Sequence, residues 1–180
     1  MYETKNEILL MDPWMSKEGA FDSSWYQFPP NHDLGDQIRE DIKLSNKEIY
    51  IYISHEHKDH FDVPYLKTLD LSKINFITPK FRRDHVASVL NKLNPKSVTT
   101  PIDSEVLNIG NMEIRLFLDD QEIVRDSALG LIDKEKDFSF LNLNDCKVYD
   151  RVDELKDIYK KFDAFTCQFS GAVFHPVCYD

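Results

Sequence analysis

Hydrophobic and polar positions along the chain switch between two periods. Apolar runs at 7–11, 49–53 and 74–78 read as strands, the latter two buried. Between them, 33–44 spaces Leu34, Ile38 and Ile42 four apart, an amphipathic helix, and 82–93 puts Val86, Val89, Leu90 and Leu93 on one helical face. Residues 62–71 predict a further helix, with Asp62 as its cap and Pro64 in its first turn. Strands follow at 97–99, 105–109 and 112–118, the last two joined by the hairpin turn Gly110-Asn111. Another pair, 129–132 and 138–143, brackets the polar stretch 133–137. A helix over 151–162 gathers Val152, Leu155, Ile158, Tyr159 and Phe162 on one side, and 164–168 closes the series as a strand. Alternating strands and helices with antiparallel hairpins in the middle predict a layered α/β sandwich, built as a single domain over 1–180.

Composition narrows the partners. Lys and Arg number 22 against 32 Asp and Glu, a net charge of −10, so an extended nucleic-acid surface is not expected, although one basic pocket could hold a small phosphate. No apolar run reaches the roughly 18 residues of a membrane span, and no signal peptide opens the chain. Three cysteines without C-x-x-C spacing argue against a disulfide framework and for a reducing cytoplasm. The aromatics Phe21, Trp25, Tyr26 and Phe28 are expected to form a small hydrophobic cluster under the loop 19–30.

Chemistry concentrates in Ser54-His55-Glu56-His57-Lys58-Asp59-His60, directly after the apolar run 49–53. Imidazole nitrogens and carboxylate oxygens suit a borderline divalent metal. On a helix His55 and His57 would diverge; on a turn after a strand they can converge on one ion while Asp59 and His60 face a second. Asp12, placed at a strand tip by Pro13, is a candidate for orienting a ligating histidine. His85 is read as a solvated or half-buried histidine of its helix.

The motif His55-x-His57-x-Asp59-His60 resembles the signature of the metallo-β-lactamase superfamily. Together with Asp12-Pro13-Trp14, residues 141–146 (Leu-Asn-Leu-Asn-Asp-Cys) and residues 168–172 (Gln-Phe-Ser-Gly-Ala), it resembles the lactamase-fold domain of CMP-N-acetylneuraminate hydroxylase-like proteins over nearly the whole chain. The resemblance implies a four-layer αββα sandwich with two metal ions between the sheet edges, and Asp145 as the aspartate bridging them. Where most members carry a third histidine, this chain has Glu122, with Asp119 and Asp120 nearby. A carboxylate in place of an imidazole favours iron over zinc. A last histidine for the second metal is usual in the superfamily; only His175 lies downstream, and the expectation is that the chain stops short of that ligand, leaving the fold incomplete at its C-terminal end.

The implied function is that of a dinuclear metalloenzyme, a diiron oxygenase acting on a polar small molecule such as a nucleotide sugar. His55, His57 and Glu122 would hold one ion, Asp59 and His60 the other, with electrons from a donor protein, since no iron–sulfur cysteine set is present. The alternative is a zinc hydrolase of an ester or phosphodiester in which Asp59 orients or deprotonates the attacking water. A third possibility is a non-catalytic metal-binding domain.

Overall fold

The structure, a computed structural model, describes residues 1–121 and 125–168. Glu122, His175 and all but Gln168 of residues 168–172 therefore lie outside the described residues. One sheet holds β1 (Tyr2–Glu3), β2 (Glu7–Met11), β3 (Glu48–Tyr52), β4 (Ile74–Ile77) and β5 (Ser97–Thr99) in sequence order, parallel except for β1. The other is built from β6 (Val106–Ile109), β7 (Met112–Asp120), β8 (Arg125–Asp133), β9 (Phe138–Asn142) and β10 (Ala164–Thr166), also in order, antiparallel except for β9–β10.

The two-residue period of each strand sorts its side chains into layers. In β2 and β3, Ile8, Leu10, Ile49 and Ile51 face α1 (His32–Leu44), α2 (Val63–Leu66) and α3 (His85–Lys92), packing with Ile38, Ile42, Leu66, Val86 and Leu90. Leu9 and Tyr52 face the other way and meet Ile114, Leu116, Leu129 and Leu131 between the sheets. On the far side of the second sheet, Phe117, Ala128 and Leu141 receive Leu155 of α4 (Val152–Ile158) and the neighbouring Tyr159. Helix, sheet, sheet, helix is the four-layer order expected.

Several boundaries differ from expectation for identifiable reasons. The helix foreseen over 62–71 is the single turn α2 followed by a 3₁₀ turn, Leu71–Lys73. Thr68 ends it: its N–H and its hydroxyl both donate to the Tyr65 carbonyl at 2.8 Å. The helix foreseen over 151–162 shrinks to α4 with a preceding 3₁₀ turn, Tyr149–Arg151. Tyr159 leaves helical geometry (φ −113°, ψ 113°) and buries its ring near Phe117 and Phe162. Its hydroxyl lies where a side chain on Gly130 would be, so the glycine makes the room. The helix foreseen over 82–93 is α3, with His85 exposed at its first turn, and the strand foreseen over 129–132 is the nine-residue β8. Leu34, assigned to the apolar stripe of α1, is exposed; Gly35 takes the buried place, close against Met15 and Tyr65. The aromatics of 19–30 also depart from expectation. Phe21 and Trp25 touch edge to face, but Trp25, Tyr26 and Phe28 are exposed, so no closed cluster forms.

Candidate metal centre

β3 ends at Tyr52, and Ile53 and Ser54 carry the chain, still buried, to the histidine loop. The loop is fixed from below. Asp12, past the end of β2, adopts a left-handed backbone (φ 42°), which turns its carboxylate beneath the loop. Its two oxygens accept from the Ser54 N–H (2.8 Å), the Ser54 hydroxyl (2.6 Å) and His60 Nδ1 (2.9 Å). Asp62 then anchors the exit from the loop. Its carboxylate accepts from the backbone of Met15, Ser16 and Tyr65, joining α2 to the segment after Asp12.

His55 is almost fully buried, and its Nδ1 lies 3.2 Å from Asp126 Oδ1 and 3.0 Å from the Ser54 hydroxyl. The Nδ1 atoms of His55 and His60 are thus both engaged by carboxylates. Such contacts leave Nε2 to point at an ion. Both Nε2 atoms turn toward Asp145 Oδ2, at 3.9 Å from His55 and 3.5 Å from His60. One donor atom from each of His55, His60 and Asp145 falls within 4.8 Å of the others. His57 stands beside His55 (Nδ1 to Nε2, 2.8 Å) and Asp59 beside His60 (Oδ2 to Nε2, 3.6 Å). Asp145 therefore faces His55, beside which stands His57, and His60, beside which stands Asp59.

Asp145 is delivered by another left-handed residue, Asn144 (φ 52°). Its amide donates to the Ser127 carbonyl at 3.1 Å and accepts from Asn142 at 2.7 Å. Tyr52 ties this corner to the first sheet by donating to the same Ser127 carbonyl at 2.9 Å. Burial above all raises the Tyr52 pKa well beyond its ordinary value, so this phenol stays neutral and structural.

The donor chemistry fits a metal. Asp59 Oδ1 is buried with no hydrogen-bond partner among the described residues, an acceptor that a cation would satisfy. Burial and the neighbouring His55 lower the His57 pKa, favouring the neutral ring that ligation requires. For His60, burial acts to lower the pKa, but hydrogen bonds and charge from Asp12 and Asp145 outweigh it and raise the value to about 10. The hydrogen bond to His60 in turn leads the effects that lower the Asp145 pKa. Without a metal these two groups are an ion pair.

Asp120 turns away from this centre: it accepts from the Arg82 N–H at 3.0 Å. Asp119 stands opposite Asp126 across the β7–β8 pair and is not among the gathered donors. Asp126 was not singled out by sequence reasoning, and Ser54 was named as the first residue of the histidine stretch without a role. Asp126 opens a strand far along the chain, and only the β7–β8 pairing and the meeting of the sheets bring it to His55. Replacing Asp126 by alanine should weaken metal binding roughly ten- to a hundredfold, the usual effect of losing a carboxylate behind a ligating imidazole. Competition against a chromogenic chelator measures it, and unchanged affinity would remove Asp126 from that role.

Among solved structures, the E377D mutant of the CmlA β-hydroxylase superposes on 87% of this chain and 31% of its own, with a TM-score of 0.60 at 16% sequence identity. CmlA belongs to the metallo-β-lactamase fold group, and its likeness joins the four layers and the histidine loop at the sheet edge. The chain has the metallo-β-lactamase fold. A second structure of CmlA, described as a diiron β-hydroxylase from Streptomyces venezuelae, aligns over 74% of this chain and 25% of its own, with a TM-score of 0.49 at 18% identity. By sequence, this metallo-β-lactamase-fold chain aligns in full with proteins from Mycolicibacterium smegmatis (27% identical) and Mycobacterium tuberculosis (29%) that are named, provisionally, as Rieske 2Fe-2S iron–sulfur proteins. It spans about a third of their length, 34%. No protein-family model matches the chain. Among the described residues no helix is long and apolar enough to cross a membrane.

Proposed function

We propose that this chain is the catalytic domain of a dinuclear iron oxygenase that hydroxylates a polar small molecule. The observation that carries the reading is Asp145 Oδ2 facing the Nε2 atoms of both His55 and His60, each of which has its Nδ1 engaged by a carboxylate. His55, His57, Asp59, His60 and Asp145 would hold the ions, with Glu122 as the further carboxylate that the sequence suggests. Two irons there would supply redox chemistry toward dioxygen. The CmlA likeness supports iron, because CmlA is described as a diiron β-hydroxylase and shares the fold.

The chain's own residues have separable tasks in this reading. Asp12 and Asp126 face the Nδ1–H groups of His60 and His55 as acceptors, which sets the tautomer and aims each Nε2. Asp59, beside His60, would in addition be the group that orients or moves a proton. Hydroxylation consumes two electrons and two protons for each dioxygen, one oxygen atom entering the product and the other leaving as water. No Cys-x-His pair of a Rieske ligand set occurs in this sequence, so the electrons would come from a separate centre. The Rieske names of the mycobacterial relatives support a [2Fe–2S] donor, either elsewhere in a longer polypeptide or on a partner protein.

Elemental analysis and Mössbauer spectroscopy of the freshly purified full chain test the proposal. About two irons per chain, oxidised on exposure to air after reduction, is the expected result. Zinc alone, with hydrolysis of a phosphodiester or ester, would replace the oxygenase reading by the hydrolase.

A further inference from the structure

Against a net charge of −10, three arginines line one small concavity. Arg82 and Arg83, between β4 and α3, face Arg125 at the start of β8, with Asp120 and Gln121 completing the wall around about 140 Å³. That volume accommodates one oxyanion group with a hydroxyl beside it. The concavity abuts the histidine loop: Arg125 Nη2 donates to Glu56 Oε1 at 2.6 Å, and Glu56 lies between His55 and His57. Arg125 also precedes Asp126, whose carboxylate supports His55.

The pairing inside this concavity is incomplete. Glu56 takes up Arg125, and among the described residues the carboxylate paired with Arg82 is Asp120, 3.8 Å from Nε, already accepting from the Arg82 backbone N–H. Arg82 is largely exposed, as is Arg83. Asp120 Oδ1 is buried and accepts from none of the described residues. Exposed guanidinium groups with hydrogen-bonding capacity to spare and a carboxylate oxygen that lacks a donor among the described residues ask for opposite things of a ligand. Planar guanidinium forks match the oxygens of phosphate or carboxylate, and a lone carboxylate oxygen matches a hydroxyl.

We infer that Arg82, Arg83 and Arg125 bind an oxyanion group, phosphate or carboxylate, of a hydroxylated small molecule, with Asp120 accepting from a hydroxyl next to that group. As the handle of the substrate, this site rests on the reading of the metal centre given above; as an anion site it stands apart from it. It fixes the anionic end of the ligand beside the histidine loop, so that a neutral part extends toward the metals.

Binding of ribose 5-phosphate, gluconate and ribose to the as-isolated full chain, followed by calorimetry, tests the inference. Ribose 5-phosphate should bind saturably, and Arg82→Ala/Arg83→Ala should raise its Kd about tenfold or more, as expected for losing charge-assisted hydrogen bonds. Melting temperature and metal content should be unchanged, because both side chains are exposed. Gluconate binding more tightly would assign the oxyanion to a carboxylate, still within the inference. Ribose binding as tightly as its phosphate, an unchanged Kd in the double variant, or no saturable binding below about 10 mM would overturn it. So would phosphate binding that disappears only when a chelator removes the metal, since the phosphate would then sit on the metals. Iron content is read separately, so failure here leaves the metal assignment untouched, and the reverse.

Discussion

Replacing His60 by alanine should leave the protein with less than half of its metal. His60 Nε2 faces both Asp59 and Asp145, so its loss opens the Asp59–His60 side and removes the partner that holds Asp145 in place. Metal counts per chain read the result directly, and full occupancy in the variant would exclude His60 as a ligand. The same residue sets a pH dependence. In the metal-free protein its pKa is raised from 6.5 to about 10, so the folded state holds this proton more tightly than the unfolded chain. That stabilisation is complete below about pH 6.5 and is lost as pH rises through about 10. A ligating His60 must give up the proton, so metal binding should release it and tighten as pH rises across the same interval. Chelator-treated protein should therefore lose thermal stability between pH 7 and 10, and metal-loaded protein should not. Parallel melting curves, or equal slopes in His60→Ala, would contradict the assignment.

The largest effect on stability is expected at Asp62. Its buried carboxylate accepts from three backbone N–H groups: Met15 and Ser16 on Oδ2, Tyr65 on Oδ1. Asp62→Ala would leave those donors without partners at a packed junction, at about 1–3 kcal/mol for each group left unsatisfied. Partial access of water brings the expected total to about 3–5 kcal/mol, at the upper end for single substitutions. In a domain of this size that lowers the melting temperature by roughly 10 °C. Asp62→Asn keeps one acceptor oxygen and should fall between the two. Chemical denaturation measures all three proteins, and a loss under about 1 kcal/mol for alanine would show that the Met15–Ser16 segment finds other acceptors. Metal content should fall less than stability, because Asp62 touches none of the gathered donors.

Asp62 also marks where local sequence was sufficient and where it was not. A capping carboxylate before Val-Pro is legible, and Asp62 does accept from Tyr65. Its two bonds to Met15 and Ser16 span more than forty residues, and nothing in local pattern points to them. The same division runs through the centre. Three histidines and a carboxylate after an apolar strand mark a candidate ligand loop, because few other uses gather those groups so closely. The carboxylates behind the rings come from elsewhere: Asp12 from the tip of β2, Asp126 from the start of β8 in the other sheet.

What the sequence determined by itself is therefore the alternation of strands and helices, a layered α/β class and the histidine-rich loop, since each depends on short-range period or on residue types side by side; the four layers were an implication of the family resemblance. Tertiary structure decided the rest. It shortened two helices where Thr68 and Tyr159 found better partners than the next helical turn. It left the aromatics of 19–30 exposed, because no facing element covers Trp25, Tyr26 or Phe28 among the described residues. It brought Arg125 from β8 against Glu56 of the loop, which composition averaged over an acidic chain conceals. These outcomes depend on which surfaces meet when two sheets pack, and that is a property of long-range register rather than of any window of residues.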